Sequence, residues 1–445
     1  MVLNPINTSN GTKVGTLDVE VADANESGIL INDKFEKKEG DGDSDALAKN
    51  SAALTTFLLL NTMIGSGILN QPYVFKNSGI LGGILGFIIA SIATWISLLL
   101  LTEAGIRVNI LEYSGLAKFA FQRNGELAID WSIVISAFGA ILGYILVIGE
   151  TTNRLLSSWG CLTCDVYSVT IITVILCVSP LCLLRHFGHL AFLSVFSIFT
   201  IVLVLFLVII GGPVSQGDKY ANDPIVVLDG MGSLESIGSI VFALSCAAAN
   251  FQGYISTKKE SQNMESWTKI TGIAVGIGAV MCSICGIAGY ASFRADTLGD
   301  ILADFASSEY DFFKVMVVLH LIFYVPVNFV IMRYSVVKLA WDMKSEDLEI
   351  KLHTGLSLFL LFVITSFILM MLSIGLTSGQ AFSLILNITG GIVGSFANFI
   401  LPSAIYLKVM PDDSKFYTTA KFLMVVGFVI MIVVLVATTI KFSSE

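Results

Sequence analysis

Past residue 50 the chain is a series of long apolar runs separated by short polar stretches. A helix that crosses a bilayer needs about 20 such residues. Eleven runs of this kind can be read, at roughly 52–76, 80–103, 129–157, 168–184, 190–211, 235–257, 268–292, 312–334, 354–376, 378–406 and 417–440. All are predicted to be helical, because an open sheet in lipid leaves backbone N–H and C=O groups unpaired. The fourth run is short and the third long, so their tilts are expected to differ. Charged residues make up 13% of the 445, about half the share in a soluble domain. That rules out an ordinary cytosolic enzyme, a disordered chain and a disulfide-stapled secreted domain. A net charge of −9 without a basic stripe argues against nucleic acid as a partner. What remains is an all-α integral membrane protein with the lipid bilayer as its surroundings.

Residues 1–50 are a different material. Five lysines stand against ten acids there, and no apolar periodicity appears. This stretch is expected to be a disordered acidic tail ahead of a transmembrane domain over 51–445. It lacks the basic-then-apolar order of a signal peptide, which leaves the first apolar run as its own insertion signal. The tail and the loops after even-numbered runs carry 19 of the 25 Lys and Arg, and the opposite side carries six. The bias predicts a cytosolic N-terminus and, with eleven crossings, a C-terminus outside the cell or in a lumen. Sequons at Asn7, Asn10 and Asn25 would then stay unmodified. Glu26 to Ile31 has the form of an acidic dileucine address to endosomes, lysosomes or vacuoles, although such six-mers arise easily in acidic tails.

The first run contains Gly65-Ser66-Gly67 near its middle and Pro72 beyond. Each glycine costs about 1 kcal/mol against Ala inside a helix, so continuous helix is disfavoured there. Unwound backbone at membrane depth is tolerated only where it lines a cavity or is buried in protein. A second half-helix starting near Gly67 would aim free N–H groups and a positive dipole end into such a cavity, a natural seat for a carboxylate. Taken alone, the same small residues also fit close packing against another helix. The sixth run has Cys246, three alanines and Asn250 at its centre. An amide at that depth is costly unless it faces the bundle interior or a cavity. The alanines favour helix, so no break is legible there, and packing and substrate lining stay open as alternatives.

The stretch Asn61-Thr62-Met63-Ile64-Gly65-Ser66-Gly67-Ile68-Leu69 resembles the first-helix signature of the amino acid/auxin permease family, N-x-x-(M/I)-G-(S/T)-G-I-L. Ser245-Cys246 between Phe242 and Tyr254, Tyr324-Val325-Pro326 with Arg333, and Phe399 to Ser403 followed by Tyr406-Leu407 match its later markers in order and spacing. The resemblance covers about residues 50–441. It implies a LeuT-like fold, in which spans one to five and six to ten are inverted repeats and an eleventh helix is added. It also implies that broken helices 1 and 6 hold an amino acid. The substrate-lining set would be Asn61, Thr62, Gly65, Ser66, Gly67, Ser245, Cys246, Ala247 and Asn250. The amides of residues 65–67 would meet the carboxylate, and the carbonyls of 245–248 the ammonium. Many members carry His and Pro where this chain has Ala247 and Gln252. Sodium-coupled members have Thr where Tyr324 stands, and a phenol is a poor ligand for a hard cation. Proton coupling is therefore favoured over sodium, with Asn61, Glu150, His320 and Tyr324 as candidates.

Glu150 and Arg154 lie four apart in the third run, where they form either a neutralised pair near the outer end or a gate or proton relay. His320 in the eighth run is either a neutral imidazole bonded to a backbone carbonyl or a coupling group. Glu103 and Arg107 read as interfacial. His186 and His189 lack the company of a Cys or acid that a metal site needs, so a solvated turn is expected. Cys161 and Cys164 lie in a loop where oxidation is possible, but their short ring would be strained and free thiols are preferred. The glycines at 390, 391 and 394 read as packing positions. No zinc signature, Walker loop, Rossmann fingerprint or nucleophile elbow appears. Neither a catalytic residue, a metal nor a cofactor is expected, and the energy source would be an ion gradient. The reading is a carrier of neutral amino acids in a vacuolar, lysosomal or plasma membrane. An amino acid sensor with little flux is the rival.

Overall fold

The computed structural model describes residues 50–161, 164–184, 190–216, 223–343, 345, 347–373 and 376–444. The expectations for the acidic tail, its sequons and dileucine motif, and those for His186 and His189, lie outside them. The described residues fold into helices: α1 (Ala52–Met63), α2 (Gln71–Val108), α3 (Tyr113–Ser158), α4 (Val166–Cys182), α5 (Leu190–Phe206), α6 (Gly230–Ala243), α7 (Asn250–Ser256), α8 (Met264–Phe293), α9 (Asp311–Trp341), α10 (Ile350–Ser373), α11 (Ser378–Val409) and α12 (Tyr417–Ser444). Nine helical stretches among them are long and apolar enough to cross a membrane, and α1 and α4 are shorter apolar helices. Large side chains on the bundle's flank face outward, Ile89 on α2 and Phe362 on α10 being 56% and 70% exposed. That inversion suits a lipid solvent, in which Leu, Ile and Phe are at home.

Two of the expected runs are one unbroken stretch of chain. α2 continues the first run and becomes the second at Gly79, whose φ of 74° and ψ of 168° interrupt the helix without a loop. The amides freed by this splice are met by an extended segment. Ile80 and Leu81 N–H donate to the Val226 and Val227 carbonyls at 3.2 and 2.8 Å, and Asp229 N–H donates to the Ser78 carbonyl at 2.9 Å. A Cβ on Gly79 would lie 2.7 Å from Leu228 N, so only glycine fits both its dihedral and its space.

Packing relies on close approach, since lipid gives apolar faces no reason to seek each other. Gly390 of α11 sits directly on the Gly238 carbonyl of α6, and Gly391 on Val434 of α12. These are the packing roles expected of them. The backbone of α11 widens to π-helical turns over Thr389–Gly394 and Phe396–Ile400.

Charges tie the helix ends. Glu126 of α3 meets Lys118 at 3.0 Å, Arg123 at 3.3 Å and Lys338 of α9 at 3.4 Å, while Asp130 meets Lys338 at 3.2 Å. Arg333 of α9 is 1% exposed. Its guanidinium donates to the Cys182 and Leu184 carbonyls at 2.9 and 3.0 Å and to the Ser357 hydroxyl at 3.1 Å. It thereby caps the end of α4 and joins it to α10. The Cys161–Cys164 expectation is corrected: the two form a disulfide across a Cα separation of 5.7 Å. That separation lies within the ordinary disulfide range. Gly160, at φ 102°, turns the chain ahead of the ring. Arg333→Leu strips the buried Cys182 carbonyl, the partly buried Leu184 carbonyl and the buried Ser357 hydroxyl of a donor. The expected cost is about 3 kcal/mol, read as a fall in thermal midpoint of the detergent-solubilised protein.

Candidate functional site

α1 ends where the sequence disfavours helix. Ile64 (φ −86°, ψ 82°) and Gly65 (φ −98°, ψ −139°) are non-helical, and a 3-10 turn over Ser66–Asn70 leads into α2. The first amides of that turn have no intrahelical partner. The last α1 bonds are Ile64 N–H to the Leu60 carbonyl at 2.9 Å and Gly65 N–H to the Met63 carbonyl at 3.0 Å.

The chain also leaves helical geometry after α6, at Leu244 (φ −109°, ψ 10°) and Cys246 (φ −149°, ψ 8°). The alanines that seemed to argue for helix lie just past this gap and form a 3-10 turn over Ala247–Ala249. The two interruptions face each other. A Cβ on Gly67 would stand 3.3 Å from Ala243 Cα and 3.4 Å from the Phe242 ring.

Asn398 of α11 holds the second gap open. Its Oδ1 accepts from Ala247 N–H at 3.1 Å, its Nδ2 donates to Ser245 Oγ at 2.5 Å and to the Gly394 carbonyl at 2.7 Å, and its own carbonyl accepts from the Ser97 hydroxyl. Unwound backbone buried away from water has to find such partners. Reading the sequence missed this residue. The available signal was an amide inside an apolar run, the same signal that singled out Asn250.

Two tyrosines close on the first gap. A Cβ on Gly65 would lie 3.0 Å from the Tyr144 hydroxyl of α3 and 3.9 Å from the Tyr324 ring of α9. The rings meet edge to face at 5.8 Å. Tyr324 donates its hydroxyl to the Asn61 carbonyl at 3.3 Å. Tyr144, like Asn398, was not anticipated. His320 lies one ring further out, 5.3 Å from Tyr324 and 6.4 Å from Phe196 between centroids.

The chain around the first gap is rich in buried polar atoms that lack a hydrogen-bond partner. Among the described residues these include Asn61 Oδ1, both amide atoms of Asn70, and Gln71 Oε1. The Ser66 hydroxyl lies beside that of Tyr144 without a well-formed bond. Such groups cost about 1–3 kcal/mol each when left dry, so a concentration of them between Asn61 and Gln71 marks a place built to meet something polar.

The structure therefore brings Asn61, Gly65, Ser66, Gly67 and Tyr324 to one gap, and Ser245, Cys246 and Ala247 to the other. It sends three predicted residues elsewhere. Thr62 is exposed and bonds its hydroxyl to the Leu58 carbonyl at 2.9 Å. Asn250 donates to Thr102 of α2 at 2.8 Å. Glu150 pairs with Arg154 at 2.7 Å, away from both gaps. Among the described residues no three His, Cys, Asp or Glu side chains gather as a metal would need.

Residues 48–444 match the model of a family described as transmembrane amino acid transporter protein. A vacuolar amino acid transporter of Saccharomyces cerevisiae is 25% identical over 68% of this chain, a match that spans 63% of the relative's length. A putative sodium-coupled neutral amino acid transporter of Danio rerio is 22% identical, with 86% of each chain covered. Among solved structures, a variant of the Eremococcus coleocola manganese transporter superposes at a TM-score of 0.54 with 14% identity, covering 93% of this chain and 90% of the other. That likeness shows the fold alone, an all-helical bundle of the LeuT type. With a family match over nearly its whole transmembrane part, the chain belongs to the transmembrane amino acid transporter (amino acid/auxin permease) family, as a multi-pass integral membrane protein.

Proposed function

We propose that this protein is a secondary active carrier of neutral amino acids, driven by a proton gradient and working by alternating access. Eleven crossings would place the N-terminus in the cytosol and the C-terminus outside or in a lumen, with α1 and the first part of α2 forming one broken span. The 19-to-6 bias of Lys and Arg supports this orientation. A disulfide in the Cys161–Cys164 loop fits a non-cytosolic side. The vacuolar relative makes a vacuolar or lysosomal membrane the first choice, and the acidic dileucine form in the tail agrees with it.

The observation that carries the reading is the pair of facing helix gaps beside unpartnered polar atoms of Asn61, Asn70 and Gln71. A zwitterion satisfies both ends of that arrangement. Its carboxylate takes the free amides and positive end of the turn at Ser66–Asn70. Its ammonium takes the carbonyls that end α6 around Ser245. Uncharged surroundings at both gaps favour an uncharged side chain on the substrate.

The coupling ion follows from Tyr324. Its hydroxyl already occupies the Asn61 carbonyl, the kind of oxygen that a hard cation would recruit. The relative's sodium coupling therefore does not carry over, and a proton is the better candidate.

In proteoliposomes, amino acid uptake is expected to follow an imposed pH gradient, to vanish when the gradient is dissipated, and to be unchanged when choline replaces sodium. Loss of uptake on that replacement overturns proton coupling, and binding without accumulation overturns the carrier in favour of a sensor. Gly65→Leu places side-chain atoms where the Tyr144 hydroxyl stands, so uptake is expected to be abolished while membrane insertion, measured by flotation, is retained. Asn398→Leu leaves Ala247 N–H buried and unpaired at about 1–3 kcal/mol. The expected result is a rise of about tenfold or more in the apparent KM for uptake.

A further inference from the structure

Between α8 and α9 the chain passes through three short 3-10 turns, Arg294–Asp296, Ile301–Ala303 and Ser308–Tyr310. This segment lies against the ends of several helices. The Thr297 carbonyl accepts from the Lys76 ammonium of α2 at 3.0 Å, and the Ala303 carbonyl accepts from the Arg154 guanidinium of α3 at 3.4 Å. Gly299 abuts Gly379 of α11, and Ile301 and Leu302 are fully buried. The contact is a docked cover pinned by two cations from different helices.

The cover itself carries two carboxyls that docking buries. Asp300 is 2% exposed; one of its oxygens accepts from Leu302 N–H at 3.1 Å, and the other is buried without a hydrogen-bond partner. Asp304 accepts from Leu298 N–H at 3.1 Å. The charges that act on the two are Glu150 and Arg154 from α3, Lys76 from α2, and Asp296 from the segment itself. The start of α11, Ser378-Gly379-Gln380, brings no charge. A bare carboxylate oxygen cannot stay buried and unpaired at low cost, whereas a carboxyl group that takes up a proton becomes neutral.

We propose that Asp300 and Asp304 form a proton-binding site that locks the 294–310 segment onto α2, α3 and α11. A proton on each removes the negative charge that burial penalises, and it gives the unpartnered oxygen of Asp300 a hydrogen in place of a bare charge. The site rests on the orientation given above, which puts the segment on the non-cytosolic side. It does not depend on which ion drives transport, because protons reach it from the compartment that the cover faces.

Burial pushes both carboxyls up to about 7, from an ordinary value of about 4 when the cover is undocked and wet. The sign follows. Below about pH 4 both states are protonated and docking has its full strength. As pH rises towards 7 the undocked state gains by losing its two protons while the docked state cannot, so docking weakens by about tenfold per unit for each carboxyl and about a hundredfold for the pair. An acidic lumen closes the cover and a neutral medium releases it.

The test uses the full-length protein in proteoliposomes with Ala303→Cys, a position 7% exposed under the docked cover. Labelling by a membrane-impermeant maleimide is timed from pH 5 to pH 7, and each rate is divided by that of Asp300→Asn/Asp304→Asn in the same cysteine background. The division cancels the thiol's own titration. The ratio is expected to rise by about a hundredfold per pH unit, and a flat ratio overturns the lock. Hydrogen exchange of amides 297–304 in the unaltered protein, corrected for intrinsic rates, gives the same answer without substitutions; protection must fall from pH 5 to pH 7, and constant protection overturns the proposal. Uptake in the Asn pair separates the two readings. Gradient-driven uptake that survives in the pair supports the lock as a site apart from coupling, and loss of uptake in the pair overturns that separation.

Discussion

Backbone hydrogen bonding has no substitute in hydrocarbon, and this constraint organises the molecule. Every place where a helix stops inside the bundle must find other partners or be made for a ligand. At Gly79 the partners are the backbone of Val226–Asp229. After α6 they are the side-chain amide of Asn398. At Ile64–Gly65 they are incomplete, and polar atoms around that gap stay unpaired. The incomplete place is the one with most to gain from a polar ligand, because in a low-dielectric interior an unpaired group costs most and gains most from being met.

The helical architecture was legible in the sequence because the bilayer imposes a length and a polarity that few other environments do. The gap in the first run was legible through Gly65 and Gly67. The gap after α6 was not. It lies at Leu244–Cys246, residues with no breaker among them, and it is held by Asn398, 151 residues away. Local propensity carries no information about such a partner, and tertiary contact overrides it. Asn250 shows the converse. Its depth marked it correctly as an amide in need of a partner, but that partner is Thr102 on α2, which periodicity alone does not distinguish from a cavity. The Glu150–Arg154 pair was legible from its four-residue spacing. The acidic cover above it was not, because Asp300 and Asp304 sit in a short loop whose burial comes only from the fold.

The disulfide at Cys161–Cys164 illustrates a different limit. Ring size argued for strain, yet the two Cα atoms stand 5.7 Å apart, within the ordinary disulfide range. Spacing bounds what a loop can do, and backbone conformation decides it.

The bridge between Asn50 and Thr257 has a mechanical consequence. Asn50 exchanges backbone bonds with Ser256 and Lys258, both 2.9 Å, and the Thr55 and Thr257 hydroxyls meet at 2.9 Å. These rivets fasten the foot of α1 to the foot of α7. Beyond their upper ends the backbone leaves helical geometry, at Ile64–Gly65 after α1 and at Leu244–Cys246 ahead of α7. The two short rods are therefore fastened to each other at the foot, and a displacement of either one would carry its companion with it.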